Sequence, residues 1–234
     1  MITPFPMQRP PQPVSLGWGL ALHTEETAVE DEAGLAWVRW LFQSVRIRCR
    51  RLVFTSQATD RARLLADWAH FAETSFLPVL APALLQARRC GEEGDDAALA
   101  ATDREWGAKL SPAQAEASLT AGGILLEKTQ GAKYQGALGR VRRRISAGEA
   151  DGHLMTVWGG LAALFQLPPV DLLSEYLREE WLVTTSQEGH RDEPQGGLSF
   201  AGLTQKALHQ ALGASLTLVR TGPAERDGKV PELG

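Results

Sequence analysis

The chain has 234 residues, 44% of them hydrophobic, which is enough to bury a sizeable core as one domain. Its 24 basic and 28 acidic residues leave a net charge of −4, which argues against general nucleic-acid binding. The two cysteines form no CxxC pair, so they provide neither a disulfide framework nor a zinc ligand set, and a reduced, cytoplasmic setting is expected. No apolar run reaches the roughly 20 residues needed to cross a bilayer, so no membrane span is expected.

Proline and glycine content sets the expected limits of the folded domain. Residues 1–16 contain five of the thirteen prolines, and we expect them to be extended or disordered. The tail from 213 to 234 combines glycine and proline with mixed charges, and we expect it to be flexible. Between these ends, residues 17–212 are predicted to form a single helical domain.

The first strong periodic signal covers residues 34–53. Apolar residues recur there at alternating steps of three and four, which predicts an amphipathic helix. These are Leu35, Val38, Phe42, Val45, Cys49 and Leu52. The polar face carries five arginines grouped toward the C-terminal end, an arrangement that the helix dipole favours. They are Arg39, Arg46, Arg48, Arg50 and Arg51.

Capping residues indicate where the next helices begin. Thr59-Asp60 predicts the start of a helix that runs to about Ala72, with Leu65, Trp68, Ala69 and Ala72 facing inward. Pro78 and Pro82 are expected near the start of the following helix, or at a kink in it. Residues 91–96 are predicted to form a loop that ends in acidic N-cap candidates. Ser111 and Gln114 have the spacing of a capping box, and the helix that they begin is predicted to bury Ala115, Leu119, Gly122 and Leu126.

The most apolar stretch, residues 153–182, predicts two helices folded back on each other through Leu167-Pro168-Pro169. Leu154, Val157, Trp158, Leu161 and Phe165 mark the apolar spacing of the first helix, and Val170, Leu173, Tyr176 and Leu177 that of the second. Small residues such as Gly159 and Gly160 allow a neighbouring backbone to come close. No segment alternates like a β-strand for more than a few residues. The predicted fold is an all-α, single-domain bundle of about eight to ten helices.

Motifs of catalytic chemistry are missing from the sequence. The five histidines form no HExxH pair, and neither a P-loop nor a GxSxG elbow occurs. A helical enzyme with a buried pocket, of the haem-oxygenase or thiaminase kind, remains an alternative; its candidate pairs are His70 with Glu73 and His153 with Glu175. The basic run Arg140 and Arg142–Arg144 lacks the interleaved aromatic residues of a nucleic-acid site. A helical interaction protein outside any metal pathway is a further alternative.

Several segments, in order along the chain, resemble the family of the urease accessory protein UreF. Residues 24–31 resemble its early acidic segment, and residues 76–106 resemble its proline-containing helix, acidic turn and next helix. SPAQAEASLTAGGILLEK (111–128) is similar to the ESLxxG…LL helix of that family. His153, with the VWGGLAALFQLPPVDLLSEYL that follows, is similar to its His…VFG…A…LGL…YL hairpin. The sequence diverges from the family at both ends.

The resemblance implies a urease maturation factor that is all-helical, homodimeric, cytoplasmic and not an enzyme. Its expected partners are a UreD/UreH-type scaffold, the UreG-type GTPase and the urease apoprotein, with no nucleic acid and no membrane. The complex as a whole delivers nickel, and no cofactor, catalytic residue or metal ligand is assigned to this chain. Candidate partner-binding residues on matching positions are Glu26, Ser118, Gly122, His153 and Tyr176. The alternative for the last four is that they pack the core.

Overall fold

The computed structural model of the chain describes residues 28–129 and 137–187, together with Ala207, His209 and Gln210. Every regular element among these residues is helical, which confirms the all-α prediction. The α-helices are α1 (Ala28–Arg48), α2 (Arg61–Phe71), α3 (Ala81–Glu93), α4 (Asp96–Gly107), α5 (Pro112–Thr129), α6 (Ala137–Ser146), α7 (Leu154–Leu164) and α8 (Pro169–Gln187). The terminal segments 1–16 and 213–234 lie outside the described residues, so the division of the chain at those points stays a prediction.

The helix α7 lies at the centre of the bundle. Its predicted apolar positions from Leu154 to Leu161 are fully buried. The turn into α8 is confirmed, and the Trp158 indole N–H donates to the Leu172 carbonyl across it at 3.0 Å. However, α7 packs most extensively against α3, not α8. A Cβ on Gly159 would lie 2.8 Å from the Leu84 carbonyl oxygen, so the predicted close backbone approach occurs between α7 and α3.

A nine-residue π-helix (Ala72–Leu80) joins α2 to α3 without a break in the helical backbone. Pro78 lies inside it, and Pro82 occupies the first turn of α3. Proline in an α-helix interior removes a hydrogen bond and clashes with the preceding turn. The wider π-helical turn contains Pro78, where the sequence predicted a kink or a new start.

The first predicted helix, residues 34–53, starts six residues after the start of α1 and runs five residues past its end. The helix α1 ends at Arg48, and residues 49–60 form a connector to α2. The physical reason is tertiary: the Phe54 N–H donates to Glu180 Oε2 at 2.7 Å, and its carbonyl accepts from the Thr184 hydroxyl at 3.0 Å. Both partners lie on α8, so bonds from a distant helix replace those of a continued α1.

Two predicted helix faces are only partly correct. In α2 the predicted Trp68 and Ala72 are buried, whereas the predicted Leu65 and Ala69 are half-buried and Leu64 is buried instead. In α5 the predicted Gly122 and Leu126 are buried, whereas Leu119 is 36% exposed and its neighbour Ser118 is fully buried. Periodicity identified these helices, but the neighbouring helices decide which of two adjacent stripes is covered.

The predicted loop at 91–96 is shorter than expected. The helix α3 runs on to Glu93, and Gly94 ends it in the left-handed conformation with φ 70°. Asp95 then caps α4 by accepting from the Ala98 N–H at 2.9 Å, which confirms the acidic N-cap. The Asp60 cap and the Ser111–Gln114 capping box are confirmed as well.

Candidate functional site

The start of α7 is held by side chains from two other helices. One carboxylate oxygen of Asp103, in α4, accepts the N–H groups of Asp151 and Gly152, each at 2.7 Å. Its other oxygen accepts the His153 N–H at 2.9 Å. Ser118, in α5, accepts the next N–H, that of Leu154, at 3.1 Å. A helix leaves its first N–H groups unsatisfied and carries partial positive charge there, so a buried carboxylate at this point is favourable.

Gly122 allows α5 to lie directly against this junction. A Cβ at position 122 would lie 2.0 Å from the Gly152 carbonyl oxygen and 2.9 Å from the Leu154 nitrogen. Gly152 itself has φ 88°, a conformation that favours glycine. The junction therefore depends on the absence of a side chain at both positions.

His153 is the N-cap residue of α7, and its ring is buried against α4. A Cβ on Gly107 would lie 2.3 Å from His153 Nε2, so the missing side chain of Gly107 makes room for the imidazole. Burial lowers the pKa of His153 below its ordinary value, while the charges of Asp103 and Asp151 oppose that shift. The ring is therefore placed as a neutral packing group at the junction.

A second polar cluster joins α1 to α8. Arg39 donates to both carboxylate oxygens of Glu175, with an Nε–Oε2 distance of 3.0 Å. Two turns later on α1, Arg46 Nε lies 2.9 Å from Glu179 Oε2, but its N–H is not directed at that oxygen, so the contact is an ion pair and not a hydrogen bond. Arg178 also contacts Glu179, at 3.1 Å. Burial raises the pKa of Glu179 to about 7, although these arginines oppose the shift.

Four of the five arginines on the predicted polar face have carboxylate partners, which their favourable position near the helix dipole did not predict. Besides these two pairs with α8, Arg48 pairs with Glu127 and Arg51, in the connector, with Glu116; both glutamates lie on α5. These two pairs are exposed, and we expect them to contribute little to stability. In the pairs with α8 the carboxylates are far more buried, so breaking these pairs would weaken the packing of α1 against α8 more.

The basic run of α6 also has a structural explanation. Arg140 and Arg144 both bind the Asp96 carboxylate, at 2.9 and 2.7 Å. Arg142 donates to the Leu126 carbonyl at 2.8 Å and to the Thr129 hydroxyl at 2.9 Å, which holds the end of α5. Three of the four arginines of the run therefore bind this chain itself.

Four of the five candidate partner-binding residues lie inside the described part, and all four are buried. Ser118, Gly122 and His153 meet at the start of α7, as described above, whereas Tyr176 lies on α8, away from them in the sequence and in a different cluster. In the isolated chain these four residues pack in the core, as the alternative hypothesis for them predicts. Their role in partner binding stays a prediction. Glu26 lies outside the described residues.

Asp103, Glu179 and Glu180 were not singled out from the sequence, and Glu175 was named only in the pair with His153. Asp103 accepts hydrogen bonds from N–H groups about fifty residues later in the chain, and no local sequence motif predicts such a contact. The burial of Glu175 and Glu179 could have been predicted from the sequence. They are one helical turn apart and share a face of α8 with apolar residues.

The residue pairs of the enzyme alternative are not assembled into a site. His70 and Glu73 are both exposed, Glu175 is bound to Arg39, and His153 is packed against Gly107. Over the residues that the structure describes, no three His, Cys, Asp or Glu side chains are grouped so as to hold a metal ion. Among the same residues, no helix combines the length and apolar character of a membrane span.

A family model described as UreF matches residues 59–181, from the end of the connector to Trp181 in α8. No curated protein and no solved structure matches the chain. The matched region contains the junction at the start of α7, nearly all of the segment 76–182 that resembles the family, and all three glutamates of α8. It does not contain α1 or residues 24–31. Because this match covers just over half of the chain, the chain belongs to the UreF family of urease accessory proteins.

Proposed function

We propose that this protein is a urease maturation factor that works by binding other proteins and not by catalysis. It joins a UreD/UreH-type scaffold, recruits and regulates the UreG-type GTPase, and so assists nickel insertion into the urease apoprotein. The observation that carries this proposal is the UreF family match over residues 59–181. The chain acts as a homodimer in the cytoplasm, and nickel is handled by the complex without a resident cofactor in this chain.

The arrangement of polar groups supports a binding role. The buried polar side chains Asp103 and Ser118 hold the backbone at the start of α7, and Glu175 and Glu179 hold α1. These contacts join α4 and α5 to the start of α7, and α1 to α8. Helices joined in this way suit a protein that presents a surface to partners.

Co-purification tests the binding role directly. The full chain is expressed with a UreD/UreH-type protein, with a UreG-type GTPase, and with both, and the complexes are separated by size-exclusion chromatography. We expect the chain to co-elute with at least the scaffold. A folded, helical sample that binds neither partner would refute the proposal.

Urease activation gives a functional readout. Urease and its other accessory proteins are produced with and without this chain, and the nickel content and activity of the purified urease are measured. We expect both to be lower without the chain. Equal nickel content and activity in the two preparations would show that the chain has no maturation role.

A further inference from the structure

The three buried glutamates of α8 differ in whether a basic side chain neutralises their charge. Glu175 binds the guanidinium of Arg39, and Glu179 lies against those of Arg46 and Arg178. Glu180 is 0% exposed and forms no ion pair with any basic residue in the described part of the chain. A buried carboxylate without a counter-charge is far more costly than a buried neutral acid.

The groups around Glu180 are apolar or uncharged. Its Oε2 accepts the Phe54 N–H, while its Oε1 has no hydrogen-bond partner. The Tyr176 hydroxyl, one turn earlier on α8, is buried beside Glu180, but it is not aligned for a hydrogen bond of good geometry. The ring of Phe54 lies in an aromatic cluster with Trp68 and Trp181.

The nearby charged groups face elsewhere. On α8, the adjacent Glu179 is directed to the arginines of α1 and to Arg178. On α2, the carboxylate of Asp67 accepts a hydrogen bond from Ser56 in the connector. The connector itself offers Glu180 only backbone N–H groups, those of Val53 and Phe54.

We propose that Glu180 is carried as the neutral acid in the folded protein at mildly acidic pH, so that packing of the connector against α8 takes up a proton from solvent. The protonated Oε1 then has a hydrogen to donate to the Tyr176 oxygen, and Oε2 remains the acceptor for the Phe54 N–H. Burial raises the pKa of Glu180 to about 7, although its hydrogen bonds oppose the shift. The connector joins α1 to the family-matched body, so the seating of α1 is linked to pH.

The sign of the effect follows from the two protonation states. In the unfolded chain a glutamate has a pKa of about 4.3. Between roughly pH 5 and 7 the folded chain therefore binds a proton that the unfolded chain lacks, and the unfolding constant rises up to about tenfold per pH unit. Glu179 adds a dependence of the same sign, so the comparison of wild type with a Glu180 variant at each pH isolates Glu180.

Denaturant unfolding of the full chain at several pH values tests the proposal. Wild type, Glu180→Gln and the control Glu175→Gln are unfolded in urea and followed by tryptophan fluorescence. We expect the ratio of unfolding constants, wild type over Glu180→Gln, to rise by up to about tenfold per pH unit between about pH 5 and 7. The matching ratio for Glu175→Gln should not rise, because Glu175, unlike Glu180, is ion-paired with Arg39. A ratio that stays flat for Glu180→Gln, or rises equally for both variants, overturns the proposal.

A second measurement leaves Glu180 in place and removes the other glutamate whose pKa burial raises to about 7. Infrared spectra of Glu179→Gln, with glutamate labelled by ¹³C, are recorded between pH 5 and 8. We expect a band of protonated carboxyl that persists at pH 6 in the folded protein and is absent from the unfolded protein at the same pH. If the folded protein shows no such band at pH 6, Glu180 is charged and the proposal is wrong.

Discussion

Replacing Gly122 with alanine would place one methyl group where the structure has no room. The added Cβ would meet the Gly152 carbonyl oxygen at 2.0 Å, the Leu154 nitrogen at 2.9 Å and the His153 carbonyl carbon at 3.0 Å. All three atoms belong to backbone that Asp103 and Ser118 hold in place. No flexible side chain can move aside, so α5 and α7 must separate.

Two opposing contributions set the change in the free energy of unfolding for Gly122→Ala. Overpacking a well-packed interior costs about 1–3 kcal/mol, and a contact with fixed backbone belongs at the upper end. Alanine regains about 1 kcal/mol over glycine through its better helix propensity. We therefore expect Gly122→Ala to lower the free energy of unfolding by about 2 kcal/mol, a large share of the roughly 5–15 kcal/mol typical of domains.

The adjacent glycine provides a matched control. A Cβ on Gly123 would have no heavy atom within 4 Å, so Gly123→Ala gains helix propensity without a clash. We expect it to raise the free energy of unfolding by up to about 1 kcal/mol. Both variants are compared with wild type by urea denaturation, followed by circular dichroism. If Gly122→Ala proves as stable as Gly123→Ala, the close approach of α5 to the start of α7 is wrong.

Three further predictions concern buried charge. Asp103→Asn should lower the free energy of unfolding by about 3 kcal/mol, because an amide cannot accept the three N–H bonds as a carboxylate does; an unchanged urea midpoint would contradict this. Arg39→Ala should cost about 2–3 kcal/mol, since it leaves buried Glu175 with only the longer contact to Arg178, at 3.5 Å, whereas Arg48→Ala, which breaks an exposed pair, should cost under about 1 kcal/mol; equal losses in thermal melts would count against the distinction. Because burial raises the pKa of Glu179 to about 7, its contribution to stability should fall as pH rises from about 5 to 7, by up to about 1.4 kcal/mol per pH unit; the comparison of Glu179→Gln with wild type across that range measures it, and parallel pH curves for the two proteins would refute it.

The local signals in the sequence identified most helices but not their contacts. The caps at Asp60, Asp95 and Ser111 were predictable because each side chain bonds a backbone group only three residues away. The end of α1 was not, because Glu180 and Thr184 lie about 130 residues from Phe54, whose backbone they bind. Local propensity cannot register a competing bond that forms only when distant helices meet.

The candidate site shows the same division. The resemblance selected Ser118, Gly122 and His153, and the structure brings these three together at one junction. It did not select Asp103, which satisfies more of that junction's backbone than any of them. From sequence alone, a single aspartate in a helix is expected to be solvent-exposed, and only the tertiary structure shows that Asp103 is buried.

The sequence by itself determined the all-α class, most helix starts and the apolar character of α7 and α8, because these depend on spacing and on side chains within a turn of each other. Only the tertiary structure decided that α7 packs mainly on α3, that Leu119 is outside while Ser118 is inside, and that Glu180 is buried without a counter-charge. Each of these depends on which surfaces meet, and burial and charge pairing are set by neighbours that are distant in sequence.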